Sequence, residues 1–501
     1  MGNFRRRESR TALMLAMVGT LALAATAVPA VAQSFSAPLV LGGLAWPTSM
    51  AFAPDGRLFI SLRDGRVVVL ENGSLLPTPF IDLRQEVIEY WDLGLLCIAL
   101  DPDFAANRHV YLLYTVDSCG ASCTNTFARL VRYTGTVASN GNQADLKSCH
   151  VLIGETAAEG FPSCTPSHTI GALRWGNDGS LFVSAGDGAS FTAMDPGGQH
   201  PACFAEGLND PIENVGAFRA QFLGSHAGKI LRIDPATGFG LPSNPYWTGR
   251  GSDKASRVWA YGLRNPFRFA VRPGSPGPGT LYIGDVGWAL WEEINVSTGG
   301  ENFGWPCYEG FNIQASYFNA NPAHSGCSSL GSPNNPGPVR PPIISWHHSN
   351  PTISTPPGFV GRCVIGGAFY QGTTWPQQYH GALIFGDYMN GWLMALRTDA
   401  DNQFIDLLPL PLGAGFPFTD LVSHPTTGEL YFLTWLGQLR RIEYTPKTGD
   451  LHIDGVVDVL DLLILLGAWG PCPPRGDCPA DLNGNGTVDV QDLLILLSNW
   501  G

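Results

Sequence analysis

One unit most constrains how this chain can fold: an apolar strand, a Pro/Asp/Gly turn and a second apolar strand. It occurs six times, over Pro47–Val69, Gly94–Val116, Ser167–Gly188, Leu263–Gly287, Gly366–Leu396 and Phe418–Tyr444. The first copy reads PTSMAFAPDGRLFISLRDGRVVV and the last FTDLVSHPTTGELYFLTWLGQLRRIEY. Most copies carry aromatic residues. A lone unit of this kind cannot bury both faces, whereas stacking the copies around an axis does so and leaves only short edges. Strand units repeated at tens of residues predict an all-β, six-bladed β-propeller. The competing arrangement is a β-sandwich. The 61 glycines and 39 prolines suit a turn-rich chain. Uneven spacing implies long insertions at Asp117–Cys164, Ala189–Tyr261 and Trp288–Val364. Long loops on a rigid scaffold tend to carry function.

Residues 1–32 have the pattern of a secretory leader. Arg5, Arg6, Arg7 and Arg10 precede an apolar stretch, Thr11–Val28, and Ala30-Val31-Ala32 forms a small-residue cleavage site. The other reading is a retained anchor. No later stretch has the length and apolarity of a membrane span, so the expected mature chain is exported, with a propeller over 33–446 and a tail over 447–501. The net charge of −13 argues against nucleic acid and anionic membranes as partners. Eleven cysteines are compatible with an oxidising compartment. Close spacing suggests Cys119–Cys123, Cys149–Cys164, Cys307–Cys327 and Cys472–Cys478, leaving Cys203 and Cys363. Cys97, inside the apolar run Leu95–Leu100, is the expected unpaired thiol. No Cys/His set has zinc spacing.

The third copy places a histidine and an aspartate where chemistry is possible. Ile170–Trp175 and Leu181–Ala185 flank the turn Asn177-Asp178-Gly179, a strong hairpin signal. His168 precedes the first strand and Asp187 follows the second, so both stand at the open end of the hairpin. An imidazole beside a carboxylate forms an oriented general base. The plainer alternative is a loop histidine and a turn aspartate.

Several blocks together resemble the soluble quinoprotein glucose/sorbosone dehydrogenases, also called aldose sugar dehydrogenases. They are GLLCIALDPDF (Gly94–Phe104), HTIGALRWGNDGSLFVSAGDG (His168–Gly188), HAGKILRIDPATG (His226–Gly238), YGLRNPFRF (Tyr261–Phe269), GDVGWALWEEIN (Gly284–Asn295) and ENFGWP (Glu301–Pro306). The resemblance implies a six-bladed propeller that binds pyrroloquinoline quinone (PQQ) and calcium and oxidises an aldose. It places His168 as the base, Asp187 as its orienting carboxylate raising its basicity, and Arg264 and Asn265 on the quinone oxygens. Asp92 falls at a polar cofactor-side position. Gly287 and Trp288 fall where backbone carbonyls hold calcium. Glu292 and Glu293 read as caps for loop amides. In PQQ-binding members a late blade supplies Lys and Arg to the cofactor carboxylates, but here the corresponding stretch offers Asp387 and Asn390. Arg174, Arg219 and Lys229 are the candidate replacements.

The tail contains a motif duplicated with a period of 31, Asp450–Gly470 and Asp481–Gly501. Asp481, Asn483, Asn485, Asp489 and Asp492 occupy positions 1, 3, 5, 9 and 12 of an EF-hand-type loop. Gly486 makes the turn and Thr487 offers its carbonyl. The first copy has Asp450, Asp454, Asp458 and Asp461 but a histidine, His452, at position 3, which predicts weaker calcium binding. An apolar helix is expected after each loop. The pair resembles a type I dockerin module, which implies a cohesin-type partner in a polysaccharide-degrading assembly. Two functions are therefore expected. The first is an exported PQQ-dependent sugar dehydrogenase. The alternative is a non-catalytic propeller that binds carbohydrate or protein and is attached through its tail.

Overall fold

The computed structural model describes residues 34–117, 126–205, 208–320, 326–330, 338–412, 415–473 and 477–501. The expected leader and the Cys119–Cys123 pair lie outside them. The chain forms two compact units. One runs to Pro446 and takes in His452–Val456; the other comprises Lys447–Leu451 and Val457–Gly501.

The larger unit is built from six antiparallel sheets, one for each repeat copy. The first blade begins Pro47–Phe52, Leu58–Leu62, Arg66–Glu71. The second is Leu95–Leu100, His109–Val116, Thr126–Gly135, Ala144–Ile153, and the third Leu173–Trp175, Leu181–Ala185, Lys229–Ile233, Val258–Tyr261. Arg268–Val271, Leu281–Asp285, Trp291–Ser297 and Ile344–His347 form the fourth; Val364–Phe369, Leu383–Asp387, Leu393–Thr398 and Phe404–Leu410 form the fifth. In the sixth, Phe418–Ser423, Leu430–Thr434 and Gln438–Arg441 are joined at the outer edge by Leu39–Leu41 from the start of the chain. This strand exchange closes the ring. The innermost strands touch in ring order, with Phe418–Ser423 packed against Pro47–Phe52, an arrangement a sandwich does not allow.

The three expected insertions are only partly loops. They contain the outer strands of the second, third and fourth blades. A hairpin period read from sequence captures the inner two or three strands of a blade, because only these carry the strong apolar pattern. Outer strands face solvent on one side: Ala144–Ile153 is buried only at its C-terminal end. Apolar cores lie between successive blades. Phe59 and Val67 pack with Ile98 and Leu112, Trp346 with Phe385, and Leu58 and Ile60 with Leu433 and Leu439.

The axis is closed by a charged side chain. Arg268 is wholly buried and donates to the carbonyls of Thr48, Leu96, Gly171 and Thr419, at 2.7 to 3.1 Å, thereby tying four other blades to its own. Asp420 balances it at 3.5 Å and also accepts from Arg174 at 3.0 Å and from Ser49 at 2.7 Å. A buried charge of this kind is tolerated only when paired and fully hydrogen-bonded.

In the smaller unit, helices Val459–Gly467 and Val490–Ser498 follow the two loops as expected. Each opens with a capping box, Asp458 with Asp461 and Asp489 with Asp492, which satisfies orphan amides at the helix start. Val457, Leu465, Ala480, Val488 and Leu496 form a small core, stapled by Cys472–Cys478.

Candidate active site

The hairpin register brings His168 and Asp187 together. Gly186 and Gly188 donate their amides to the carbonyls of Thr169 and His168. The first strand is shorter than expected, only Leu173–Trp175. Its entry is shaped by Gly171, where a Cβ would meet Ser184 Oγ at 2.2 Å and so cannot be accommodated. His168 itself holds a left-handed φ of 54°, an uncommon backbone state for a non-glycine residue and one that concentrates at functional sites.

His168 Nδ1 stands 3.4 Å from Asp187 Oδ1, within ion-pair reach but outside hydrogen-bond geometry, and Nδ1 is buried without a partner. Asp187 is held from three sides. Trp305 Nε1 donates to Oδ2 at 2.8 Å, the Ala189 amide donates to Oδ1 at 2.9 Å, and Arg219 Nε donates to its backbone carbonyl. Burial pushes the Asp187 carboxyl up, but His168, the Arg264 charge and the Ala189 amide outweigh it and hold the group below its ordinary value. For His168 the balance goes the other way from the sequence expectation. Burial, then the positive charge of Arg264, lowers its pKa, and Asp187 recovers only part of the loss. Both effects favour the neutral imidazole.

The residues that begin the inner strands enclose a cavity of about 310 Å³ on the ring axis, near the lower end of the range for small-molecule sites. Thr48, Leu96, Ile170, Phe267, Ile365 and Thr419 come from the six successive blades or their entries. His168, Asp92 and Asn265 open into it, as do Arg63, Trp91, Thr169, Cys363, Tyr388 and Trp435. Thr169 Oγ1 is buried with no partner. Asp92 accepts from Ser167 Oγ at 2.6 Å. Burial raises the Cys363 thiol well above its usual range, so it stays protonated.

Arg264 lies behind this wall. Its Nη1 donates to the carbonyls of Val286 and Gly287 at 2.8 and 2.6 Å, and its Cζ lies 5.6 Å from the Trp305 ring centre. The backbone amides of Arg264 and Asn265 are fixed by Asp285, whose carboxyl burial pushes up to about 7. The carbonyl of Gly287, expected as a calcium ligand beside Trp288, is thus occupied by a guanidinium. These residues do not fit the metal as they stand. The Trp288 amide is instead bonded to Glu309, whose Oε1 accepts four successive amides from Trp288 to Trp291. Glu292 and Glu293 cap amides as expected, taking those of Gly287 and Val364 and that of Gly310.

The three candidate replacement cations bond elsewhere. Arg174 pairs with Asp420, Arg219 holds the carbonyls of Asp187 and Glu213, and Lys229 Nζ donates to three carbonyls. Asp387 is a structural cap that accepts the amides of Arg362, Cys363 and Asn390. The expected Cys149–Cys164 pair is replaced by Cys164–Cys203, and Cys149 and Cys363 are free. The folded chain brings residue 203 back over the second blade, and sequence spacing carries no trace of that. Cys307–Cys327 and the free, buried Cys97 agree with expectation. Arg63, Thr169, Tyr388 and Trp435 were not anticipated. Their only mark in the sequence is a position at or near the end of a blade strand.

In the second tail loop, side-chain oxygens turn inward onto the loop's own amides. Asp481 accepts from Asn485 and Gly486, Asn485 from Thr487, and Asp492 from Asn483 and Asp489. In the first, Asp461 accepts from Leu451 and Asp458, and Asp454 from Val456. Asp450 is buried. Among the described residues, no three His, Cys, Asp or Glu side chains converge on a metal position, and no helix is long and apolar enough to cross a membrane.

Comparison with known proteins bears on the family and the fold. An uncharacterised protein of Synechocystis is 29% identical over 421 residues, covering 81% of this chain and 85% of its own. An aldose sugar dehydrogenase of Escherichia coli is 26% identical over 410 residues, covering 80% and 90%. The PQQ-bound aldose sugar dehydrogenase of Streptomyces coelicolor superposes with a TM-score of 0.57 at 20% identity, over 82% of this chain and 98% of that one; this likeness shows the six-bladed fold. The glucose/sorbosone dehydrogenase family matches residues 44–439. With that match spanning nearly the whole propeller, the chain belongs to the glucose/sorbosone dehydrogenase family.

Proposed function

We propose that this protein is an exported oxidoreductase that oxidises the anomeric hydroxyl of an aldose to the lactone, with PQQ as cofactor. The observation that carries the reading is a buried His168 backed by Asp187 and opening into an axial cavity. The residues present suit a flat, anionic heteroaromatic. Trp91, Phe267, Tyr388 and Trp435 supply aromatic walls, while Asn265, the unpartnered Thr169 hydroxyl and Arg63 supply donors. When bound, PQQ supplies the two-electron acceptor. His168 Nε2 takes the hydroxyl proton as the carbinol C–H bond breaks, and Asp187 stabilises the imidazolium that forms. Arg264 adds fixed positive charge behind the cavity wall. Disulfides such as Cys164–Cys203 suit an oxidising compartment.

For the tail we propose calcium binding, stronger in the second loop, and a cohesin-type partner. The support is the duplicated oxygen-rich loop and a matching set of exposed apolar side chains, Leu463 with Leu494 and Trp469 with Trp500.

The test is reconstitution of the purified chain with PQQ and Ca²⁺, an aldose and a dye acceptor. The parent should turn over, and His168→Ala should lose about 10²–10⁴-fold in kcat. A parent that binds no PQQ would leave the alternative, a propeller that binds sugar or protein without turnover. That alternative is favoured by one feature: Arg63 is the sole Lys or Arg among the described residues lining the cavity.

A further inference from the structure

Arg63 follows the second strand of the first blade and reaches the cavity wall. Its guanidinium is clamped. Nε and Nη2 donate to Glu89 Oε1 at 3.2 and 2.9 Å, and Nη1 donates to the Trp91 carbonyl at 2.8 Å. The rings of Trp46 and Trp435 lie 4.7 and 4.9 Å from its Cζ. A guanidinium carries five N–H donors; these bonds use three and leave two. The clamp is also where backbone strain collects. Trp46 and Trp91 both hold φ at 52°, a state bulky side chains adopt only when the surroundings enforce it. A guanidinium held by three hydrogen bonds beside two packed rings has already lost much of its rotamer freedom, so binding a carboxylate costs it little further ordering.

We propose that Arg63 anchors a carboxylate of the polycarboxylate quinone, supplying from the first blade the charge that the late blade lacks. This rests on the dehydrogenase reading above. Asp92, on the same cavity wall, and Glu89 are the acids that oppose such a ligand. Asp387 does not, because its carboxylate is turned to three backbone amides.

The experiment titrates the apo chain with PQQ and reads tryptophan fluorescence quenching, with no turnover required. Arg63→Gln should weaken PQQ at least tenfold, and Arg63→Lys should fall between it and the parent. Both Arg63→Gln and the parent should bind the trimethyl ester of PQQ alike, since the ester lacks the charges Arg63 reads. Equal affinity of parent and Arg63→Gln for PQQ overturns the proposal while leaving the dehydrogenase reading intact. If Arg63→Gln does not fold, Arg63→Lys decides the matter: a ratio of PQQ to trimethyl-ester affinity unchanged from the parent's overturns the proposal. A parent that binds neither PQQ nor its ester removes both the dehydrogenase reading and this one.

Discussion

At the scale of single residues, His168 is governed by two opposed effects, and burial is the larger. Its pKa lies below the ordinary 6.5, with burial first and Arg264 second as causes. A base with a depressed pKa is lost only when pH falls through that lowered value. The acid limb of kcat/KM, which reports the free enzyme, should therefore fall below pH 6.5; a limb above it would show that Asp187 outweighs burial. Trp305 is a positioning residue for this pair, because its indole N–H fixes the carboxylate oxygen turned away from His168. Hydrogen bonds to charged groups contribute ~1.5–3 kcal/mol. Trp305→Phe keeps an aromatic ring, though a smaller one, and removes the donor, so kcat should drop at least about tenfold with KM nearly unchanged. A rise in KM with kcat intact would place Trp305 on substrate binding instead.

At the scale of elements, the loop that carries Trp305 needs its own fastening. Cys307, two residues on, is joined to Cys327 across 20 residues. Closing a loop of that size is worth ~3 kcal/mol in the chain-entropy account. Replacing both cysteines by serine should lower unfolding free energy by about 2–4 kcal/mol in urea titration. Activity should fall further than stability alone explains, because Trp305 loses its support. Unchanged kcat in a destabilised double variant would separate the staple from the site.

For the propeller as a whole, Arg268 and Asp420 join inner strands from several blades at the axis. Removing one partner of a buried pair costs ~3–5 kcal/mol, since the other charge is left uncompensated. Asp420→Ala should lower the urea midpoint in a single cooperative transition, with tryptophan fluorescence and far-UV circular dichroism coinciding. A loss under ~1 kcal/mol would mean that water reaches the axis and screens Arg268.

The blade count, the pairing of His168 with Asp187 and the two helices of the tail were legible in the amino-acid order, whereas the capping role of the tail aspartates, which the loop spacing assigns to a metal, was not. Each legible feature depends on local chemistry: a turn between apolar runs, two ends of one hairpin, an apolar run after an oxygen-rich loop. The tertiary structure alone decided the rest. Leu39–Leu41 closes the sixth blade, Cys164 meets Cys203, Arg264 turns to the Gly287 carbonyl, and Arg63 reaches the cavity from the first blade. These contacts join residues far apart in the chain or on separate loops, and ring closure determines which of them meet. The sign of the His168 shift belongs with them, because desolvation depends on what the other blades pack around the imidazole.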